Sequence, residues 1–281
     1  MLWKKQKRVT RPRLRSRAVS KLVVVTATTN PERAEHCVRS WGAVQKIVIE
    51  NGLGKTTPYL GTVPAFRKGV DYALAQTDAE IIACLHDDVE LLDPDWMEKV
   101  LMHFERTPAC GLLGFGGAIG LGSERIYKDP YDPMQLARIG FRSNMIDAES
   151  HGIRSLLAER VACLDGFSQV GRRSFWEGWG YNRFQRTGEA DETYRPWTVL
   201  EELGLVHHIY DGALGAIASR YGWETWYLPI RCRHLGGQTA VGDRGYQAWA
   251  ETQVANGDQG FWQEGHRIVY DAFRDILPLR V

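Results

Sequence analysis

Three times in its first third the chain repeats one pattern: a short apolar run, a polar break, then apolar residues at helical spacing. Lys21-Leu22-Val23-Val24-Val25-Thr26 is a continuous β-branched run, the signature of a strand buried on both faces of a parallel sheet. Thr29 or Asn30 then caps a helix with Pro31 at its first position, and Ala34, Cys37, Val38 and Trp41 form its apolar stripe. Lys46-Ile47-Val48-Ile49-Glu50 is a second strand, broken by the turn pair Asn51-Gly52, and a helix through Phe66, Val70, Ala73 and Leu74 follows. The third strand, Ile81-Ile82-Ala83-Cys84-Leu85, ends abruptly in His86-Asp87-Asp88. Asp93 is expected to cap the next helix, with Pro94 at its first position and Met97, Val100, Leu101 and Phe104 on its inner face. Residues 21 to 106 therefore predict three βα units with a parallel sheet.

The second half is less regular. Gly111 to Gly117 and Cys163 to Val170 read as further strands, and residues 121 to 160 show weak periodicity, as a functional or mobile insertion would. Aromatics crowd from Phe175 to Trp197 and offer either stacking faces for sugars, with Trp176 and Trp179 as acceptor-binding candidates, or a small accessory core. Tyr210-Asp211 opens a helix through Leu214, Ile217 and Ala218 that Gly222 closes. Thr225 to Pro229 reads as an edge strand, and Trp262, His266, Val269, Tyr270 and Phe273 mark a last amphipathic helix.

The two carboxylates at the third strand's tip carry the first chemical information. Left unpaired in a core they would cost several kcal/mol each, so they belong at a strand mouth, where open α/β sheets bind ligands. Adjacent carboxylates repel, and a hard divalent cation relieves that repulsion. Alternatively, Asp87 and Asp88 only begin a loop and cap the next helix. The loop Thr26 to Asn30 holds neither GxGxxG nor Walker A glycines, so no dinucleotide or P-loop site is indicated.

Composition adds three limits. The 281 residues suit one large domain or two small ones. Five cysteines without clustered spacing argue against a disulfide scaffold or a zinc site. No apolar run reaches the ~18 residues that span a membrane, and the basic start lacks the apolar region of a signal peptide, so a cytoplasmic setting, or a place at the periphery of a membrane, is expected. Net charge is +1, but residues 1 to 21 hold nine basic residues and no acid; removing those nine from 35 leaves 26 against 34 acidic ones. A disordered basic arm over 1–20 on an acidic body is expected, either a polyanion contact or a passive tail.

In order and spacing these parts resemble a nucleotide-sugar glycosyltransferase of the GT-A fold, most similar to family 2, over residues 20 to 240. Three stretches carry the resemblance: Val23 to Asn30; Phe66-Arg67-Lys68-Gly69-Val70 through Asp87-Asp88-Val89-Glu90 to Pro94-Asp95-Trp96; and Tyr210-Asp211 with Tyr221-Gly222, Pro229 and His234-Leu235-Gly236-Gly237. The resemblance implies a Rossmann-like, mostly parallel α/β sheet flanked by helices. It implies a donor-binding half over 21–120, an acceptor-binding and catalytic half over 121–240, and a helical extension over 241–281. It implies metal-dependent, inverting transfer from a nucleoside-diphosphate sugar, by default a UDP-sugar, to an acceptor hydroxyl. The acceptor is left open among a glycan, a lipid-linked sugar, a protein and a modified nucleic acid.

Residue by residue, the resemblance makes Asp88 and His234 ligands of Mn²⁺ or Mg²⁺. It places Thr26, Thr28, Asn30, Glu50, Asn51, Arg67 and Asp87 against the donor, Tyr210 against the acceptor, and makes Asp211 the catalytic base. Three positions depart from the family pattern: Arg67 stands where an asparagine is common, His86 takes the place of the first acid of an Asp-any-Asp motif, and Tyr210 replaces a glutamate. Capping its own helix is the other reading of Asp211. A sugar nucleotidyltransferase is an alternative, one that needs a glycine-rich basic loop after the first strand, which Ala27-Thr28-Thr29-Asn30 lacks. A catalytically inactive GT-A domain acting as a binding module is the other.

Overall fold

The structure is a computed structural model that describes residues 21–52, 59–123, 140–146, 152–181, 194–235, 247–248, 250–251 and 261–281. The basic arm and large parts of the expected insertion at 121–160 lie outside the described residues. The chain runs β1 (Leu22–Thr28), α1 (Pro31–Ser40), β2 (Gln45–Glu50), α2 (Thr62–Gln76), β3 (Ile81–Leu85), β4 (Val89–Leu91), α3 (Trp96–Arg106) and β5 (Cys110–Gly114). It continues through β6 (Gly116–Ala118), β7 (Gly120–Leu121), β8 (Phe141–Ser143), β9 (Ile153–Arg154), β10 (Glu159–Val161), β11 (Cys163–Leu164), β12 (Ser168–Arg172) and α4 (Arg173–Trp176). It ends with α5 (Pro196–Glu202), α6 (Tyr210–Arg220), β13 (Glu224–Tyr227), β14 (Cys232–His234), α7 (Phe261–Phe273) and β15 (Leu279–Arg280).

A seven-stranded sheet in the order β10-β13-β5-β12-β3-β1-β2 forms the centre. β1, β2, β3, β5 and β13 run parallel, while β12 and β10 run against them. The mixed α/β architecture with a large, mostly parallel sheet is the one expected. Strand alternation sorts the core into two layers. Val23, Val25, Ile82 and Cys84 face a layer shared with Val63, Phe66, Leu200, Leu214 and Phe273 from α2, α5, α6 and α7. Leu22, Val24, Ile81, Ala83 and Leu85 face the other, with Cys37 of α1, Trp41 just past its end, and Val100 and Phe104 of α3. Both faces of β1 and β3 are therefore covered, which is why those strands read as near-continuous apolar runs, whereas the edge strand β2 buries Ile47 and Ile49 on one face and leaves Val48 exposed on the other. All five cysteines are buried and none is in a disulfide, and no helix among the described residues is long and apolar enough to cross a membrane.

Four sequence expectations change. α3 begins at Trp96 rather than Pro94, because the Asp93 carboxylate is taken up by the Arg231 N–H at 3.1 Å and by Lys99 at 2.9 Å. The run Cys163 to Val170 is two strands, parted by a turn at Asp165-Gly166-Phe167; β11 joins a second sheet with β6, and β12 enters the main one. β13 is no edge strand, since β5 and β10 flank it. The aromatic crowd contributes to the core: Trp176 stacks on Trp197 at 5.6 Å, Trp197 on Phe66 at 5.5 Å, and Phe66 on His86 at 6.1 Å.

Candidate functional site

The carboxyl ends of the parallel strands gather the polar residues that the pattern of the first half singled out. Past β3 the chain turns at His86-Asp87-Asp88 and enters β4, which pairs antiparallel with β14. That ladder sets His234 opposite Val89, and the Leu235 N–H bonds the Asp88 carbonyl at 2.9 Å. The short ribbon therefore fixes Asp88 and His234 side by side, with His234 Nε2 3.4 Å from Asp88 Oδ1. From behind, the Trp41 indole N–H donates to the Val89 carbonyl at 2.9 Å. Asp88 is 4% exposed.

His86 completes the cluster. Its Nδ1 lies 4.0 Å from the same Asp88 Oδ1, and the donor atoms of His86, Asp88 and His234 all fall within 4.8 Å of one another. Each imidazole is backed by a phenyl ring: Phe66 against His86, and Phe167 against His234 at 5.0 Å. The other nitrogen of His86, Nε2, meets the Tyr210 hydroxyl at 2.8 Å. That hydroxyl has one proton, which it donates to the Gly166 carbonyl at 2.9 Å. Burial, with Asp211 and Asp165 nearby, pushes the phenol's pKa well up and keeps that proton in place. The hydroxyl then accepts from His86, so Nε2 carries hydrogen, and in the neutral imidazole Nδ1 is the lone-pair atom on the side of Asp88. One carboxylate and two such imidazoles form a donor set that a divalent cation tolerant of nitrogen ligands fits.

Beside this cluster Asp87 accepts a 2.7 Å bond from the Thr28 hydroxyl, which in turn accepts the Asn30 N–H at 3.0 Å. The loop after β1 is thus tied to the end of β3. Asn30 and Glu50 are exposed at this same end of the sheet, and Glu50 pairs with Thr28 in the register. Asn51 is occupied otherwise: its amide donates to the Gly61 carbonyl at 3.2 Å and accepts the Leu60 N–H at 2.7 Å, closing the loop between β2 and α2.

Asp211 sits in the first turn of α6, immediately after Tyr210. The helix is entered through Ile209, whose φ of 64° is left-handed, a strained conformation for a β-branched residue. The entry segment is held from outside: the Val206 carbonyl accepts the Val63 N–H at 2.9 Å, and His207 Nδ1 meets the Thr62 and Tyr59 hydroxyls at 2.7 and 2.9 Å. Burial keeps the His207 pKa well below the ordinary value. Asp211 accepts the Gly212 N–H at 2.9 Å. Its pKa is pushed from 3.8 up to about 7, by burial first and the charge of Asp165 second, against the backbone N–H groups of Gly212, Asp211 itself and Gly166. The cap position belongs to Ile209, so Asp211 is not the helix cap.

Several expected site residues are placed elsewhere. Thr26 is 0% exposed within β1 and cannot reach a donor. Arg67 is paired with Glu201 of α5 and lies 3.7 Å from Asp71, so it ties two helices together. Tyr210 is engaged on both sides of its hydroxyl and is 4% exposed, which removes it from acceptor contact. Trp176 and Trp179 lie at the wrong end of the sheet. β12 runs against β3 with Arg172 opposite Ile81, so α4 starts at the amino end of β3, a strand length of about 15 Å from His86. Trp176 is 1% exposed and donates its indole N–H to the Ile82 carbonyl, while the Trp179 carbonyl accepts from the Trp223 indole. Conversely, the pattern of the sequence did not place His86 and Gly166 against Tyr210, or Asp165 beside Asp211. The substitution of an expected acid by His86 was one visible signal; the Asp165-Gly166 pair, a turn dipeptide inside a run read as strand, was the other, and its carboxylate accepts the Phe167 N–H at 3.3 Å.

A family model described as "Glycosyltransferase like family" matches residues 23–168, a span that includes His86, Asp87, Asp88 and Asp165. A search of curated proteins found no match. Among solved structures, the chain is similar to the mannosyltransferase PcManGT from Pyrobaculum calidifontis in complex with GDP-Man and Mn²⁺, at 13% identity and a TM-score of 0.42, over 92% of this chain and 70% of that one. It is also similar to a Drosophila beta-1,4-galactosyltransferase 7 mutant in complex with manganese, UDP-Gal and xylobiose, at 10% identity and a TM-score of 0.39, over 79% of this chain and 73% of that one. With more than half of its length matched by the family model, this chain belongs to the glycosyltransferase-like family.

Proposed function

We propose that the protein transfers a sugar from a nucleoside-diphosphate sugar, a UDP-sugar by default, to an acceptor hydroxyl with inversion at the anomeric carbon, and that Asp211 is the general base. One observation supports this reading above the others. A carboxyl group whose pKa is pushed up to about 7 stands one residue from Tyr210, whose hydroxyl bonds the imidazole beside Asp88. A base is most effective when its pKa is near the working pH.

Asp211 takes the proton of the acceptor hydroxyl as that oxygen forms its bond to the anomeric carbon. The bond from that carbon to the diphosphate oxygen breaks, and the nucleoside diphosphate leaves with the electron pair. A divalent cation held by Asp88 and His234 would offset the charge of the diphosphate. Thr28 orients Asp87 at the donor side, and Asn30 and Glu50 are the exposed polar groups available to the ribose and base. Residues 21–120 then form the donor half and 121–240 the acceptor half.

The test is a panel of nucleotide sugars with Mn²⁺, scored for release of free nucleoside diphosphate by the wild type and by Asp211→Asn. Release that depends on Asp211 supports the proposal. Release of pyrophosphate from a nucleoside triphosphate and a sugar 1-phosphate, run alongside, would indicate a nucleotidyltransferase, and no release from any donor would leave a binding module.

A further inference from the structure

We propose that His86 is a direct metal ligand, that the site selects an ion accepting two imidazoles over Mg²⁺, and that Tyr210 is the positioning residue that aims His86. This inference rests on the glycosyltransferase reading for its ion, but it is read from three side chains and can fail separately.

Both imidazoles address one oxygen. His234 Nε2 stands 3.4 Å and His86 Nδ1 4.0 Å from Asp88 Oδ1. All three donor atoms fall within 4.8 Å of one another, close enough for a single divalent ion to be held among them. Asp87, the neighbouring acid, is bound by the Thr28 hydroxyl at 2.7 Å. The protein thus offers two neutral nitrogens and one carboxylate. Mg²⁺ prefers an all-oxygen octahedron and sheds water reluctantly, whereas Mn²⁺, Co²⁺ and Zn²⁺ accept imidazole.

The tautomer is what makes His86 usable. A histidine whose Nδ1 carried the proton would present N–H to the ion. Tyr210 prevents this: its one hydroxyl proton is committed to the Gly166 carbonyl, so it demands the proton of His86 on Nε2. Gly166 makes the arrangement possible, because a Cβ there would lie 2.6 Å from the Tyr210 oxygen. Phe66 behind the ring limits its rotation. The hydroxyl thereby acts on the ion through the histidine without touching it.

The experiment uses the full-length protein and metal alone. Mn²⁺ binding is followed by loss of the free-ion electron paramagnetic resonance signal, with Mg²⁺ as competitor, and nitrogen couplings to bound Mn²⁺ are read by electron spin-echo modulation. The wild type should show two coupled imidazole nitrogens and should keep its Mn²⁺ against a tenfold excess of Mg²⁺. His86→Asp should narrow the preference for Mn²⁺ at least tenfold. Tyr210→Phe, which preserves the ring, should weaken Mn²⁺ about 10–100-fold, the usual range for a lost partner behind a ligand. A single coupled nitrogen in the wild type would overturn the proposal without any variant having to fold. Equal competition by Mg²⁺, or a Tyr210→Phe protein with wild-type Mn²⁺ affinity, would overturn it too. Because these readings need no turnover, they stand apart from the transfer assay: a protein that binds Mn²⁺ through two nitrogens yet transfers nothing would refute the proposed function and leave this inference intact.

Discussion

The Tyr210 hydroxyl lies 2.8 Å from His86 Nε2, joining the first turn of α6 to the end of β3 across 124 residues of chain. Through that one contact the carboxylate of Asp211, next along the helix, is tied to the cluster of His86, Asp88 and His234. On the proposed reading, a donor held by the cluster and a base held by the helix would share one rigid frame, built on strand ends and a helix start.

Asp88→Asn keeps the side-chain volume and removes its charge. Mn²⁺-dependent nucleotide binding should fall below detection in calorimetry, with the circular dichroism spectrum unchanged. Unaltered nucleotide affinity in Mn²⁺ would exclude Asp88 from the metal site.

Turnover should rise with pH and level off above an apparent pKa of about 7, as Asp211 loses its proton. Asp211→Asn should slow transfer by ~10²–10⁴-fold and leave donor affinity near normal. If the variant kept wild-type turnover, Asp165, which lies beside it, would be the next acid to replace.

The same displaced pKa has a consequence for stability. In the unfolded chain Asp211 ionises near 3.8, but in the fold only near 7. Folding therefore favours the protonated form. The contribution is fully present below about pH 4, is lost as pH rises toward 7, and stays lost above that. Asp211→Asn carries no such charge. It should gain stability over the wild type as pH rises from 5 to 8, by about 2–4 kcal/mol at most. Thermal melts at pH 5 and pH 8 check this: the gap in Tm should widen, and a constant gap would contradict the burial of the charge.

Gly166→Ala places a methyl group against the Tyr210 oxygen. Overpacking of this kind costs about 1–3 kcal/mol. Metal affinity should fall together with stability, since Tyr210 must shift to make room. Chemical denaturation and Mn²⁺ titration of the same sample measure both.

Trp176→Ala should cost about 3–5 kcal/mol, as for a large buried aromatic, and lose the indole bond to Ile82. Below its lowered melting temperature the variant should keep the wild-type KM for acceptor. A raised acceptor KM at full folding would return Trp176 to the site.

Much of the fold was legible in the residues themselves. Val23 to Thr26 and Ile81 to Leu85 alternate between two buried faces, so unbroken apolar runs announced a parallel sheet covered on both sides. The carboxylates after Leu85 announced a strand mouth, because no core accepts them unpaired. The family pattern, with Asp88 and His234 at their spacing, marked two residues that the structure places 3.4 Å apart. What a local pattern cannot carry is which strand lies beside which. Antiparallel β12 sends α4 to the amino end of β3, and that alone takes Trp176 and Trp179 away from the site. The Asp165-Gly166 pair carries a local turn signal, with its carboxylate accepting the Phe167 N–H, but not the packing of α6 against it, by which the turn supplies both the charge that raises Asp211 and the carbonyl that holds Tyr210. Local chemistry determined which residues could serve as ligand or base. Only the packing of distant segments decided which hydroxyl proton points where, and so which nitrogen of His86 faces Asp88.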